Sequence, residues 1–196
     1  AEAAYLKALA LRPQHPGARN NLGSLYMKQG RLPQAEAQFA ALLQSSPDNI
    51  PARLNLGAVL MAQEQWQEAA EQYRQALAQG ETEGEAEEEL GLIALNYQQT
   101  PDQALDHFDR ALARRRHPQL LVSRGVALRA LERPAEAEAA YRQALSLDRG
   151  CLEAWFNLGN LCTDQGDRSG AAAAYSQVVQ LAPASDFGPA RRAGTE

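Results

Sequence analysis

Asp102, Asp106 and Asp109 follow one another at spacings of four and three, which on a helix stacks their carboxylates along one face with His107 beside them. Such a face can hold a cation weakly, or it can be a solvated face on which Asp106 pairs with Arg110, and the solvated face is the preferred reading. The three histidines, His15, His107 and His117, fall on a turn, a helix and a helix end. No Ser/His/Asp grouping, glycine-rich phosphate loop or metal motif joins them. Residues 164–170 (Asp-Gln-Gly-Asp-Arg-Ser-Gly) are similar to a calcium loop in composition but lack its alternating ligands and its terminal glutamate, so they read as a turn between helices. Cys151 and Cys162, eleven residues apart, match no zinc spacing and read as small buried hydrophobes. The chain is therefore expected to be no enzyme and to carry neither cofactor nor metal.

What the residues do form is a repeat. A glycine, preceded by leucine except at Gly125, where Arg124 stands, is followed twelve residues on by Ala-x-x-x-aromatic: Gly23 leads to Ala35 and Phe39, Gly57 to Ala69 and Tyr73, Gly125 to Ala137 and Tyr141, and Gly159 to Ala171 and Tyr175, at a period of thirty-four. In the unit with Gly91, Ala104 and Phe108 the interval is thirteen, so one residue is inserted near Tyr97–Thr100. A period in this range marks a solenoid whose units, each an antiparallel helix pair, bury their apolar faces only by stacking. Glycines and alanines sit where two helices approach closely, and the aromatics fill the space between. First helices are predicted at about 16–29, 50–63, 84–98, 118–131 and 152–165, and second helices at about 33–45, 66–79, 101–113, 134–147 and 168–181. Pro33, Pro101 and Pro134 suit a first helical turn, Thr100 and Asp167 are predicted N-caps, and Gly30 and Gly166 are predicted left-handed C-caps. Trp66 and Trp155 read as packing aromatics.

The unbroken register predicts one array over 1–185, made of a half repeat at 1–15 and full units at 16–49, 50–83, 84–117, 118–151 and 152–185, followed by a tail at 186–196. Residues 1–13 match only the second helix of a unit, and the tail does not read as a polar capping helix. The chain is thus expected to be a fragment of a longer array, and its end faces are candidates for self-association. A net charge of −5 and a pI near 5.3 disfavour nucleic acid and anionic membrane as partners, and no apolar run approaches membrane-spanning length. Compartment is left open, with the cytoplasm favoured.

The residues Trp155, Leu158, Gly159, Ala171, Tyr175 and Pro183, and again Leu22, Gly23, Tyr26, Ala35, Phe39 and Pro47, resemble the signature of the tetratricopeptide repeat. The resemblance implies an all-α, right-handed superhelical solenoid whose first helices line a concave groove. Carried over residue by residue, the groove positions include Asn20, Asn21, Ser24, Leu54, Asn55, Glu88, Glu89, Ser123, Arg129, Phe156, Asn157 and Asn160, together with Met27, Lys28, Met61, Glu85, Val122 and Asp164. Asn21, Asn55 and Asn157 each precede Leu-Gly and would form a column of amides, interrupted by Glu89 and Ser123, that resembles the asparagine ladder of O-linked N-acetylglucosamine transferases. An amide donates and accepts at once, so such a column pairs with a peptide backbone whatever its side chains. Glu85, Glu88 and Glu89 would favour a basic segment. The carboxylate clamp of chaperone-binding repeats is not reproduced, since only Lys7 and Lys28 are lysines. The expectation is a non-catalytic scaffold that binds a protein or peptide segment in its groove. The alternatives are the substrate-recognition array of a larger enzyme, such as a glycosyltransferase, or a self-assembling scaffold.

Overall fold

A computed structural model describes residues 1–182; Pro183, expected to close the last unit, and the tail at 186–196 lie outside the described residues. Among those described, the chain forms eleven helices and no strand: α1 (Glu2–Leu11), α2 (Pro16–Lys28), α3 (Leu32–Ser45), α4 (Ile50–Ala62), α5 (Trp66–Ala78), α6 (Glu85–Asn96), α7 (Pro101–Leu112), α8 (Pro118–Ala130), α9 (Pro134–Leu147), α10 (Leu152–Asp164) and α11 (Arg168–Leu181). Backbone packing divides the chain into two compact units, Ala1–Tyr97 and Gln98 onward. In the first, each helix from α1 to α6 packs on the next; in the second, the same holds from α7 to α11.

Within a helix pair the close approach is set by glycine. A Cβ built on Gly23 would lie 2.7 Å from the Phe39 ring, one on Gly57 would lie 2.7 Å from the Tyr73 ring, and one on Gly159 would lie 2.6 Å from the Tyr175 ring, with Gly125 still tighter against Tyr141. Phe39, Tyr73 and Tyr141 are buried, as are Ala35, Ala69 and Ala137 one turn before them. Burial pushes the Tyr141 hydroxyl up to about 12, and its oxygen has no hydrogen-bond partner. The ring is kept for the volume it fills, and its hydroxyl is a cost carried with it.

Each first helix turns into its second through one left-handed residue. Gly30 (φ 71°), Glu64 (φ 62°), Gln99 (φ 54°), Glu132 (φ 56°) and Gly166 (φ 76°) occupy this place. The step from 64 to 99 is one longer than the period, which locates the inserted residue just before Gln99. After Gly30, Glu64, Glu132 and Gly166 the next residue donates its N–H to the carbonyl five back, Arg31 to Tyr26, Gln65 to Leu60, Arg133 to Leu128 and Asp167 to Cys162, the longer bond of a Schellman cap.

The helix starts divide into two kinds. Asn49 and Asp167 cap through side-chain oxygens, accepting from Ala52 N at 2.9 Å and Gly170 N at 3.0 Å. His15 and His117 do the same through Nδ1, accepting from Ala18 N at 3.2 Å and Leu120 N at 3.4 Å, so two of the three histidines are helix caps. Thr100 corrects the expectation: it stands at the N-cap position of α7 but makes no side-chain cap bond.

A second recurring device closes the connections between repeats. Arg19 Nη2 donates to Pro13 O at 2.7 Å, Arg53 Nη2 to Pro47 O at 2.7 Å, and Trp155 Nε1 to Arg149 O at 3.0 Å, always six residues back. Buried Arg53 also donates to Gln72 Oε1 at 3.0 Å, to Gln79 Oε1 at 3.1 Å and to Gln75. Trp155 is therefore a hydrogen-bonding strap at this register. Trp66 packs as expected, stacked on Tyr97 with ring centroids 4.4 Å apart.

Gly57→Ala should destabilise the fold. Overpacking against the immobile Tyr73 ring costs ~1–3 kcal/mol, which outweighs the ~1 kcal/mol that alanine gains over glycine in a helix. Glu132→Gly should do the reverse, raising stability by about 0.5–1 kcal/mol as the left-handed penalty is removed and part of it is lost to unfolded-chain entropy. Urea denaturation followed by circular dichroism reads both, and the two midpoints should move in opposite directions.

Candidate partner-binding surface

In the first unit the first helices are α2, α4 and α6. Asn20, Ser24, Leu54 and Asn55 are half-buried on α2 and α4, and Asn21 is exposed. Asn55 Nδ2 donates to Asn20 Oδ1 at 3.1 Å, linking the two first helices across the repeat boundary. Glu88 and Glu89 are half-buried on α6. Burial, and then the carboxylates of Glu89 and Glu85, push the Tyr73 hydroxyl far above its ordinary value, so these acids sit close enough to act on the core ring beneath them. Beside Leu54 and Asn55 opens a cleft of about 380 Å3, walled by Ile50, Pro51 and the connection from Gly80 to Glu85.

In the second unit the first helices are α8 and α10. Ser123 is half-buried on α8, while Val122, expected in the groove, is a correction: at 7% exposure it belongs to the core. Its neighbours Leu120 and Leu121 are buried with it, so the apolar face of α8 is broader than the repeat register implies. Arg129 on α8 donates through Nε and Nη2 to Asp164 Oδ2 on α10, both at 2.6 Å. That hydrogen bond holds the guanidinium pKa above its ordinary value. The Phe156 ring lies against Tyr175 with centroids 6.0 Å apart, and Tyr175 donates its hydroxyl to Asn160 Oδ1 at 2.7 Å. Asn157 Nδ2 donates to Glu153 O at 2.8 Å, so one donor of this amide is turned onto its own helix.

Two of the remaining sequence candidates, His107 and Asp109, are engaged by arginines. Arg110 Nη2 reaches His107 Nδ1 at 2.8 Å, and Asp109 pairs with Arg124 of α8 at 2.6 Å. Cys151 is buried and Cys162 half-buried, both are free thiols, and burial raises both above the ordinary thiol value, which keeps them protonated and weakly nucleophilic. Among the described residues no group of three His, Cys, Asp or Glu is placed to hold a metal ion, and no helix is long and apolar enough to cross a membrane. Sequence reasoning missed the pairing of Asn20 with Asn55 and of Arg129 with Asp164. Both join residues thirty-five apart, one more than the period, which is the signal that places them on adjacent first helices.

A family model described as tetratricopeptide repeat matches residues 1–50, 54–120, 89–150 and 122–186. No curated protein is similar enough to be matched. Among solved structures, the chain is similar to YrrB, a TPR protein described as having an unusual peptide-binding site, at 21% identity and a TM-score of 0.75, covering 95% of this chain and 96% of that one. It is similar also to MamA from Desulfovibrio magneticus RS-1 (17% identity, TM-score 0.78, 87% and 97% covered) and to PilF of Pseudomonas aeruginosa (22%, 0.80, 93% and 83%). At these identities the likeness is one of fold.

The Arg129–Asp164 pair is partly exposed at both ends, 37% and 50% of the side chains. Asp164→Ala should therefore change stability by less than ~1 kcal/mol in a urea titration, because exposed ion pairs contribute little. Loss of several kcal/mol would mean that the pair fastens the two repeats.

Proposed function

We propose, from the premise that this chain belongs to the tetratricopeptide repeat family, that it is a non-catalytic protein-interaction scaffold capturing an extended segment of a partner along the faces of its first helices. The observation that carries the reading is the composition of those faces. Amides (Asn20, Asn21, Asn55, Asn157, Asn160) are interleaved with half-buried apolar side chains (Leu54, Phe156) and with charges already balanced or lightly held (Arg129, Asp164). Such a surface offers donors and acceptors to a peptide backbone and shallow apolar contact to its side chains, without the perturbed nucleophile and base that a reaction needs.

The amides contribute in different ways. The Asn20–Asn55 bond uses one N–H and one lone-pair direction, leaving Asn55 a second N–H and its own carbonyl for a ligand. Asn157, back-bonded to Glu153, likewise retains a second N–H and its carbonyl. Glu88, Glu89 and Ser123 complete the proposed contact set, with Ser24 one turn after the amides of α2.

Peptides selected from a random display library on the wild-type chain should bind the variant carrying Asn21→Ala, Asn55→Ala and Asn157→Ala about 10-fold or more weakly, while circular dichroism of the two proteins stays the same. Each lost hydrogen bond at a desolvated contact contributes ~0.5–1.5 kcal/mol, so three suffice for that loss. Equal affinity for both proteins would overturn the amide reading.

A further inference from the structure

The connection between α5 and α6 departs from the chain's own repeat. Residues 46–49 join α3 to α4 and residues 148–151 join α9 to α10, whereas here the connection runs over 79–84. No residue is inserted. Gly80 (φ 93°) stands where the other repeats have already left their second helix, at Ser46 and Asp148, and its left-handed conformation ends α5 one residue earlier than α3 and α9; Gly84 (φ 83°) is left-handed where the other first helices start, at Pro16, Ile50, Pro118 and Leu152. The connection is thereby lengthened to six residues, and it borders the cleft of about 380 Å3.

The lining of that cleft is amphipathic in a specific way. Ile50, Pro51 and Leu54 form an apolar wall, and Glu81, Glu83 and Glu85 supply carboxylates. Glu81 is only 8% exposed. Its Oε1 accepts from Glu83 N at 2.7 Å, while its Oε2 is buried with no hydrogen-bond partner. A buried carboxylate oxygen without a donor is costly, and a group that supplies the donor recovers that cost. At the same register the other connections carry Pro13, Pro47, Arg115 and Arg149, so the acid is peculiar to this junction. A metal ion is a poor candidate, since no three-ligand group stands here among the described residues. A volume near the low end of the ~300–1,000 Å3 typical of ligand pockets suits a single side chain.

We propose that this cleft is a specificity pocket for one lysine or arginine of the captured partner segment, its aliphatic stem lying on Ile50, Pro51 and Leu54 and its cationic head donating to Glu81 Oε2, with Glu83 and Glu85 at the rim. The inference rests on the scaffold reading above and names the chemistry of its ligand. The cleft adjoins Leu54 and Asn55, so a peptide on the first-helix face reaches it without leaving that face.

The test is an amide-resolved NMR titration of the full chain with Nα-acetyl-lysine methylamide, Nα-acetyl-arginine methylamide and the neutral Nα-acetyl-norleucine methylamide. Saturable shifts at residues 50–55 and 79–85 are expected with the two cations, about 10-fold weaker with norleucine, and lost in Glu81→Gln, because a charge-assisted bond is replaced by a neutral one. That variant retains an oxygen to accept from Glu83 N, and its melting curve checks the fold; Glu83→Gln, on an exposed residue, is the second variant and should weaken binding less. No saturable shift with either cation, an equal response to norleucine, or indifference to Glu81→Gln would each overturn the pocket. Display-selected peptides separate this from the scaffold reading. Peptides that depend on the asparagines yet tolerate loss of every basic residue would remove the pocket and leave the scaffold. A failure to select any peptide would count against the scaffold, while the small-molecule titration would still judge the cleft.

Discussion

The contact on which the rest depends is the one between a glycine on the first helix and the aromatic ring on the second, made in four of the pairs. With rings from Phe39, Tyr73, Tyr141 and Tyr175 pressed onto Gly23, Gly57, Gly125 and Gly159, the distance and rotation of each pair are fixed by shape rather than by polar bonds. A methyl group is already too large. That constraint makes the pair rigid, and rigidity is what lets a helix face present side chains at a fixed spacing to something outside.

The left-handed turn and the strap to the carbonyl six residues back follow from the same demand. A pair packed this closely needs a short, sharply bent connection, and one residue with positive φ followed by a Schellman bond supplies it whether that residue is Gly30 or Glu132. At three junctions the chain then runs into the next repeat through four residues, one of whose carbonyls is captured by Arg19, Arg53 or Trp155. Different side chains serve because only one N–H at the right reach is required.

Most of this was legible because it is periodic. The glycines, alanines and aromatics return at thirty-four, and the helices lie within one or two residues of their predicted limits. What was not legible depends on single residues meeting across repeats. Thr100 has the right type for a cap and stands at the N-cap position, yet it makes no side-chain cap bond, which its sequence neighbours do not reveal. Val122 stands at a groove register yet is buried, since the exposure of one position depends on how wide an apolar face its neighbours make. The candidate surface was readable as a set of positions, whereas the pairings within it, Asn20 with Asn55 and Arg129 with Asp164, needed coordinates because each joins adjacent helices rather than adjacent turns.

In a repeat protein, identity of structure from unit to unit gives affinity a scaffold but cannot by itself give register, since a ligand that fits one unit fits the next. Register requires a unit that differs. Here the difference is concentrated at one junction, where Gly80 and Gly84 shorten two helices and Glu81 replaces the Pro or Arg found at the same place elsewhere. The position six residues on, which holds Arg19, Arg53 and Trp155 in other repeats, is Glu87, so the strap that closes those connections has no counterpart in residue type. The same junction that shortens two helices and leaves Oε2 of Glu81 without a donor also borders an acid-lined cleft beside the first-helix face of this unit. A local loss of stability placed where it generates a distinguishable site is how a repetitive fold acquires direction along its length.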